Sequence, residues 1–542
     1  MKQARRSKSS CKVASLAAGG LVLAALAALA APAAAQSPAK LVPSFSQAND
    51  QVGASVAVSG ETLVLGVPGD DNAGGVSAGS AAVFVRNGGT WSLQATLLPP
   101  DPASQRAFGT AAALSGDTAV VTSVGDDFAA GSQGGAVHVY ARSGTSWIHE
   151  AELTASPSKP FDTWGWAVAL QGDTLVLTSI GANAQQGAAY VFEREAAGWL
   201  MRAELVADDA EPNEWFGWVV SLAGDTVVVG APHDADSGPA AGAAYVFKRT
   251  GSTWAQQGKL LASDGTQADE FGTCVAIAGD TIVVGAWHDH IGDETQAGSA
   301  YVFVRGEGQW SQQAKLVASD ATHADFFGSA VTLVGDAAVV TASRDDDVSG
   351  DAGSAYPFVR SGTAWTEQPK ITAPPVTANA HFGLRAAQSG ATVVFGAPSD
   401  GSFPSQGVGA GYVFDLPGLP WTDLGFGLAG VEGIPALTGS GSLEAGSAGS
   451  LSLALGKPSA PSLLLVSLAS TPAPFKGGAL HALPAIVQLP LATSADGGWS
   501  LAWGSWPSGI PAGSKLYFEV AVSDAAAVQG VSISNLLRAT QP

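Results

Sequence analysis

One aspartate position recurs along the chain and is the first feature that could bind a ligand. In six of seven places it follows a short apolar run, and in the third place Ala182 replaces it. If gathered at one rim of a fold, these carboxylates would attract cations or a basic ligand. Each could instead cap its own turn through backbone hydrogen bonds, which is the interpretation that we favour. The candidate ligand-binding residues are Asp70, Asp126, Asp234, Asp289, Asp345 and Asp400.

Two further motifs resemble chemical sites in composition. The run 288–290 (His-Asp-His), with Asp293 and Glu294, offers ligand types that suit zinc. No other copy of the pattern repeats it, so we interpret it as a solvated loop. The string 425–430 (GFGLAG) fits the dinucleotide fingerprint, but it follows a proline-containing linker and precedes no helix. The sequence therefore predicts neither catalytic residues nor a metal site.

The aspartates belong to a unit that recurs seven times before residue 420. Each copy opens on an aromatic or apolar residue followed by glycine, and successive glycines lie 56, 56, 52, 55, 56 and 55 residues apart. A period of this size marks a repeat architecture. The opening pairs are Val52-Gly53, Phe108-Gly109, Trp164-Gly165, Phe216-Gly217, Phe271-Gly272, Phe327-Gly328 and Phe382-Gly383.

Each copy contains the pattern of four strands and no helical periodicity. In the fourth copy we predict strands at 219–222, 226–230, 243–248 and 254–261, the first two joined by a tight Gly-Asp turn. Four strands in each of seven units predict an all-β fold, a seven-bladed β-propeller in which neighbouring blades cover each other's faces.

The count of fourth strands predicts how the ring closes. A Trp-led fourth strand occurs six times, and the seventh copy runs into a linker without one. The segment 40–42 (Lys-Leu-Val) matches 315–317 in the fifth copy's fourth strand. We therefore expect the N-terminal segment to lie antiparallel to 411–414 and complete the last blade.

The Phe-Gly openings, with the Gly-Ala-Pro tripeptides at 230–232 and 396–398, resemble the FG-GAP repeat family. These are the propeller repeats of integrin α-subunit heads, and the resemblance covers roughly residues 40–415. It implies a propeller that binds an extracellular partner. In several copies of the family an Asp-rich calcium loop joins the first two strands, but here only a short turn such as Gly224-Asp225 is present. Calcium binding is therefore not carried over, and we predict no cofactor.

The N-terminus has the pattern of a secretory signal. A basic start is followed by an apolar, alanine-rich segment at 13–30 and by three alanines before Gln36. We expect cleavage near Gln36, with a retained membrane anchor as the alternative. Mass spectrometry of secreted protein would show an intact residue 1 if cleavage does not occur.

Charge and cysteine content limit the class of partner. Cleavage would remove five of 25 basic residues, leaving 20 against 46 acidic ones and a net charge of −26. Such a surface argues against binding to nucleic acid or to anionic membranes. Only Cys274 would remain, so no internal disulfide is possible, and we interpret this cysteine as a small buried residue.

The predicted organisation has four parts. These are a signal peptide at 1–35, the propeller at 36–416, a linker at 417–422 and a small β-rich domain at 423–542, for which a sandwich is one arrangement. The functional hypothesis is a secreted, non-enzymatic scaffold that binds or adheres to an extracellular protein or glycan. The alternative is an extracellular hydrolase or lyase that acts on polysaccharide at the propeller mouth, which a converging histidine and carboxylate would favour.

Overall fold

The computed structural model describes residues 38–540 with gaps. The gaps are 88, 126–133, 155–162, 307, 373–376, 402–406, 417–420, 424–435, 441–448, 455–458, 468–472, 476–477, 481, 483–486, 494–498, 504–514, 525–530 and 535–536. The signal segment, Asp126, most of the linker and the glycine-rich string at 425–430 therefore lie outside the described residues. By its contacts the chain divides into two compact units, Gln36–Gly425 and a second that includes Phe426–Pro542.

The first unit consists of seven antiparallel sheets built on four strands each, in sequential order except that β1 forms the outer strand of the seventh sheet. The first strands are β2 (Val56–Ser59), β6 (Phe108–Ser115), β10 (Val168–Gln171), β14 (Val219–Ala223), β18 (Phe271–Ala278), β22 (Phe327–Val334) and β27 (Arg385–Ser389). The second strands are β3 (Thr62–Val67), β7 (Thr118–Ser123), β11 (Thr174–Ser179), β15 (Thr226–Ala231), β19 (Thr281–Ala286), β23 (Ala337–Ala342) and β28 (Thr392–Ala397). The third strands are β4 (Ser80–Asn87), β8 (Ala136–Ser143), β12 (Ala188–Glu195), β16 (Ala243–Thr250), β20 (Ser299–Gly306), β24 (Ser354–Ser361) and β29 (Ala410–Asp415). The fourth strands are β5 (Thr90–Leu97), β9 (Ser146–Leu153), β13 (Gly198–Leu205), β17 (Thr253–Leu260), β21 (Gln309–Leu316), β25 (Ala364–Glu367) and β1 (Ala39–Leu41).

The sheets form a closed ring. Each first strand contacts the first strand of the next sheet, and β2 contacts β27, so the first strands are innermost. Sheets one and seven are also joined by side chains, since the Arg86 guanidinium donates to Asp415 Oδ1 at 3.0 Å and to the Thr392 hydroxyl at 3.0 Å. This arrangement is the predicted seven-bladed propeller.

Two glycines of repeat four show why the repeat needs glycine at these positions. Gly224 has a φ of 54° in the two-residue turn between β14 and β15, a conformation that favours glycine. Gly230 lies against the next sheet, where an added Cβ would stand 2.0 Å from the carbonyl oxygen of Gly272. The Gly-Ala-Pro glycine of one repeat thus packs on the Phe-Gly glycine of the following repeat.

Buried side chains hold neighbouring sheets together. Each opening Phe is almost fully buried, as Phe271 at 0% exposure shows, and contacts aromatic rings of its own sheet such as Tyr301. Cys274 is also buried, and its thiol donates to the carbonyl of Gly328 in the next repeat, as expected for a small packing residue. Burial raises the pKa of this thiol to about 12, so it is unreactive at neutral pH.

The N-terminal strand β1 pairs antiparallel with β29. Lys40 lies opposite Tyr412, and Leu41 lies opposite Gly411. The Leu41 side chain is 7% exposed in a cluster that includes Val52 and Val413. How far the stability of the ring depends on this strand stays a prediction.

Two local departures have physical reasons. The fourth strand of sheet six is split, because Pro369 has no amide hydrogen to donate, and pairing resumes at β26 (Ile371–Thr372). In repeat three a short turn at Ala182–Gln185, with left-handed backbone angles at Asn183 and Ala184, replaces the aspartate loop of the other repeats. Among the described residues, no helix has the length and apolarity needed to cross a membrane.

The second unit is also built of antiparallel strands. A three-stranded sheet contains β31 (Ala436–Ser440), β32 (Gly449–Ala454) and β37 (Trp499–Trp503). A larger sheet contains β33 (Pro461–Ser467), β36 (Val487–Ala492), β38 (Lys515–Ser523), β39 (Val531–Ile533) and β40 (Leu537–Thr540). The short strands β34 (Ala473–Phe475) and β35 (Gly478–Leu480) pair with each other, and β30 (Trp421–Asp423) follows the propeller.

Candidate functional site

The candidate aspartates lie inside the sheets rather than on an open surface. Asp234 is 1% exposed, and no described member of the set exceeds 5%. A large ligand would not reach these carboxylates without displacing the groups that cover them. The described members are Asp70, Asp234, Asp289, Asp345 and Asp400.

In repeat four the buried carboxylate is held by a tyrosine and a lysine. The Tyr245 hydroxyl donates to Asp234 Oδ2 at 2.6 Å, and Lys259 Nζ lies 2.7 Å from the same oxygen. Lys259 also contacts Asp209 at 2.8 Å and Asp236 at 2.7 Å. Asp209 belongs to the connection between repeats and Asp236 to the loop, so these segments share one end of the sheet.

The same cluster recurs in repeats five, six and seven. The Asp345 carboxylate also accepts the backbone amide of Asp347 at 3.1 Å, as Asp234 does that of Asp236, so turn capping and the lysine pair coexist. In repeat seven the lysine comes from β1, at the other end of the chain. The clusters are Asp289 with Tyr301 and Lys315, Asp345 with Tyr356 and Lys370, and Asp400 with Tyr412 and Lys40.

One of these clusters has the spacing of a metal site but already holds a cation. Carboxylate oxygens of Asp320, Asp345 and Asp347 lie within 4.8 Å of one another. Lys370 Nζ stands among them, at 3.0, 2.5 and 2.7 Å respectively. An external ion would have to displace this ammonium group. A ligand-binding role for the repeated aspartates therefore stays a prediction. A ligand could reach exposed neighbours such as Asp347.

The Lys40–Asp400 pair predicts a pH-dependent contribution to stability. Burial alone would raise the pKa of Asp400, but hydrogen bonds from Lys40 and Tyr412 lower it below the ordinary aspartate value. Because the folded pKa is depressed, the pair stabilises fully above about pH 4 and loses its effect as the pH falls further. Urea unfolding of Lys40→Ala should show destabilisation at pH 7 that shrinks below pH 4. A pH-independent difference would contradict the pairing.

The His-Asp-His run does not assemble as a unit. Asp289 is directed into the sheet toward Tyr301 and Lys315. His290 is exposed, with Nδ1 3.0 Å from the carbonyl oxygen of His288. His288 itself contacts a residue that the motif does not contain, Glu270.

A different site lies where the first strands begin, which we call the mouth. The residue before each opening pair adopts a left-handed conformation although none is glycine, with φ between 51° and 60°. Such conformations are costly for non-glycine residues and concentrate at functional sites. The seven residues are Gln51, Ala107, Thr163, Trp215, Glu270, Phe326 and His381.

One half of the mouth carries a stack of aromatic rings. The Trp215 indole lies between two partners, with the His233 ring centroid at 3.5 Å and the Trp218 centroid at 4.9 Å, both nearly parallel. Trp218 in turn contacts Trp166 at 5.0 Å. All four side chains are half-buried, so the stack is anchored but reaches solvent.

Glu270 links this stack to the next repeat. Its Oε2 accepts a hydrogen bond from Trp287 Nε1 at 2.7 Å, and its Oε1 lies 3.2 Å from His288 Nδ1 and 4.0 Å from His233 Nε2. Burial opposes ionisation, but His288 and Trp287 lower the pKa of Glu270 below its ordinary value. Burial lowers the pKa of His233, against the opposing effect of Glu270. The group is therefore an ionised carboxylate between imidazoles at neutral pH.

Phe326 extends the aromatic surface into repeat six. Its ring contacts Trp287 at 5.6 Å and His288 at 5.0 Å, and the Arg344 guanidinium lies 4.4 Å from its centroid. Repeats three to six thus contribute one continuous surface of rings, imidazoles, one carboxylate and one guanidinium.

The other half of the mouth has smaller side chains, and they line an open cavity of about 740 Å³. Repeats seven, one and two supply its walls. The seven first strands below it contain no Asp, Glu or His, and Arg385 is their one charged residue. The lining includes Asn49, Gln51, Ser77, Ala107, Asn379, His381 and Ser399.

The mouth residues were not predicted from the sequence because they differ from copy to copy. Comparing the copies draws attention to what recurs, and the position before each opening pair holds a different residue in every repeat. That variability is itself the available signal, since a structural position in a repeat should need similar residues. The left-handed backbone at these positions could not be read from residue type.

The ring of sheets defines the class of this protein as a seven-bladed β-propeller. A family model described as the FG-GAP repeat matches seven segments of the chain. The first segment begins just before β1, and each later segment begins within a fourth strand. The chain belongs to the FG-GAP repeat family. The matched segments are 36–84, 91–140, 147–192, 199–247, 254–303, 310–358 and 365–414.

Three solved structures are similar to this chain at low sequence identity. A periplasmic gluconolactonase from Pseudomonas aeruginosa has a TM-score of 0.40 and 15% identity, covering 59% of this chain and 85% of that one. Sqt1 from Chaetomium thermophilum has a TM-score of 0.40 and 14% identity, and the match covers 72% of this chain and 92% of that one. The β-propeller domain of the Trilobed protease from Pyrococcus furiosus has a TM-score of 0.40 and 10% identity, and the match covers 69% of this chain and 95% of that one. No curated protein matches the chain.

Proposed function

We propose that the protein is a secreted, non-enzymatic propeller that binds an extracellular protein or glycan at its mouth. The observation that carries this proposal is the aromatic half of the mouth beside the 740 Å³ cavity. Binding sites combine aromatic surface with a few placed polar groups, and tryptophan is enriched at binding hot spots. The N-terminal signal pattern and the repeat family support an extracellular location.

The first strands contribute no carboxylate or imidazole of their own, which suits binding. Apart from Arg385, they carry Ser, Thr, Gln, Gly, Cys and apolar residues, which are suited to packing and hydrogen bonding. Adhesion through the mouth requires only contact area and polar complementarity, and the aromatic half supplies both.

The tryptophan stack gives the test of binding. We expect Trp218→Ala to weaken binding of hits from an array of immobilised glycans and extracellular proteins by about tenfold or more, because buried aromatic contacts dominate such interfaces. The matched control is Trp310→Leu, whose indole contacts Arg305 and Gln257 at the opposite end of a sheet and should leave binding unchanged. Equal loss in both variants would contradict the proposed surface.

A second candidate function rests on the Glu270–His288 contact. A carboxylate and an imidazole 3.2 Å apart could exchange a proton with a substrate, which suits a hydrolase or lyase acting on polysaccharide. Turnover of an extracellular polysaccharide by the wild type, lost in Glu270→Gln, would favour this alternative. Binding without turnover in both proteins would favour the scaffold.

A further inference from the structure

Arg385 is the one charged side chain on the innermost strands of the propeller. It begins β27 and occupies in repeat seven the position that Cys274 holds in repeat five, opposite a glycine of the second strand. Short side chains at this position turn toward the next repeat, where Ser55 and Cys274 each donate to a glycine carbonyl. The Arg385 side chain is too long for that contact and is exposed instead. It therefore projects into the channel that the first strands surround.

The electrostatics of Arg385 agree with this place in the channel. Desolvation by the strands around it lowers the pKa of the guanidinium below the ordinary arginine value, although the side chain is exposed. Its charge also interacts with the Cys274 thiol, which belongs to repeat five. Arginine stays protonated even in such surroundings, so the channel contains a positive charge.

This guanidinium lacks the carboxylate partner that most arginines of the propeller have. Within the described part of the chain Arg385 forms no ion pair, and its Nη1 donates to the carbonyl of Leu384 at 3.0 Å. A charge without a partner costs free energy in surroundings of low polarity, and such groups concentrate at functional sites. The arginines of the third strands, by contrast, each contact a carboxylate, and these are Arg86, Arg142, Arg194, Arg249, Arg305 and Arg360.

We propose that Arg385 binds the carboxylate of a sugar acid, which deepens the proposed function of the mouth and rests on it. A guanidinium has five N–H donors in a rigid fork, and a carboxylate can accept two of them side by side. With one contact to Leu384, the Arg385 fork has donors left for a ligand.

The rest of the mouth favours a sugar as the carrier of this carboxylate. Trp218 holds in repeat four the position of Leu384, one residue nearer the mouth than Arg385, and its half-buried indole can pack on the apolar face of a sugar ring. The cavity beside it is lined by the amides of Asn49, Gln51 and Asn379, which can both donate to and accept from hydroxyl groups.

The acidity of the chain limits how much charge the ligand can carry. A formal net charge of −21, with Glu270 at the mouth itself, repels a polyanionic chain. A single carboxylate that reaches Arg385 is surrounded by first strands without acidic residues. We therefore expect a glycan with an isolated acidic sugar rather than a polyuronate.

The test is binding of glucuronate to the untagged full chain, measured by ligand-observed NMR titration with glucose as the uncharged analogue. Glucuronate should bind with millimolar or tighter affinity and more tightly than glucose. Arg385→Gln should weaken glucuronate binding at least about tenfold and leave glucose binding unchanged, because only the charge-assisted hydrogen bonds are lost. Arg385→Lys keeps the charge but not the fork and should lose part of the affinity. The matched control is Arg202→Gln, since Arg202 lies on the outermost strand β13 and pairs with Glu193.

Each outcome decides the proposal. Absence of glucuronate binding would overturn it, as would equal affinity in Arg385→Gln or equal loss in Arg202→Gln. Binding of a short peptide with a free carboxyl end, but not of glucuronate, would overturn the sugar acid as the ligand. Melting temperatures establish that the variants are folded, and none is expected to fall for Arg385→Gln because no ion pair is lost. If Trp218→Ala abolishes array binding while Arg385→Gln binds acidic and neutral glycans as the wild type does, the proposed function stands and the carboxylate site fails.

Discussion

A chain that lacks residues 36–45 is expected to unfold with a free energy several kcal/mol below that of the mature protein. The deletion removes β1 and leaves the outer edge of β29 without a partner. It exposes the surface that Leu41 covers, and burial of a side chain of this size stabilises by roughly 1.5–3 kcal/mol. It also removes Lys40 from Asp400, whose side chain is 1% exposed, and a buried charge left without its partner is costly.

The reason for so large an effect is the topology of the ring. Leu41 packs in one cluster with residues of sheet one and sheet seven, among them Val52 and Val413. Loss of β1 therefore weakens the junction at which the first and last repeats meet, rather than one sheet alone. Neighbouring repeats stabilise each other, so the cost is expected to spread through the propeller.

Urea unfolding followed by tryptophan fluorescence measures this prediction, and two point variants control it. Leu41→Ala should cost about 2–4 kcal/mol. Val42→Ala, one residue along and 41% exposed, should stay within about 0.5 kcal/mol of the wild type. If the deleted chain unfolded together with the full mature protein, β1 would be dispensable and the closure model would be wrong.

Most of the fold could be predicted because the same four-strand pattern occurs seven times in the sequence. The predicted strands of repeat four agree with the structure to within two residues at every end, and the difference of two residues is at the end of β16. The match of Lys40 to Lys315 also predicted register, since each lysine lies opposite a tyrosine, Tyr412 and Tyr301 respectively.

The chemistry of the recurring aspartate was harder to predict. Alignment found the position, but its partners lie on the third and fourth strands, and which side chains meet there depends on strand register and a bulge. A signal existed in the sequence. Repeats four to seven combine Asp, Tyr and Lys, whereas repeat one has Ala82 and Thr96 beside Asp70. Co-occurrence of the three residues, rather than the aspartate alone, indicates the buried cluster.

Asp234→Ala is expected to destabilise the protein by roughly 2–4 kcal/mol, the second large effect. The substitution removes a buried acceptor of the Tyr245 hydroxyl, the acceptor of the Asp236 amide, and one of the three carboxylates that contact Lys259. Lost hydrogen bonds to charged groups cost about 1.5–3 kcal/mol each, but Lys259 retains Asp209 and Asp236 and so keeps part of its pairing.

The matched control for Asp234→Ala is Asp70→Ala. Asp70 occupies the same repeat position and is 5% exposed, but within the described part of the chain its side chain makes only a 3.4 Å contact with the Asn72 amide. Its removal should leave the free energy of unfolding within about 1 kcal/mol of the wild type, because no lysine or tyrosine loses a partner. Denaturant unfolding of both variants separates two explanations of the repeated aspartate. If both substitutions cost the same, pairing with lysine and tyrosine does not explain the position. If only Asp234→Ala is costly, pairing with lysine and tyrosine explains the repeated aspartate. Lys40 then stabilises Asp400 of repeat seven in the same way.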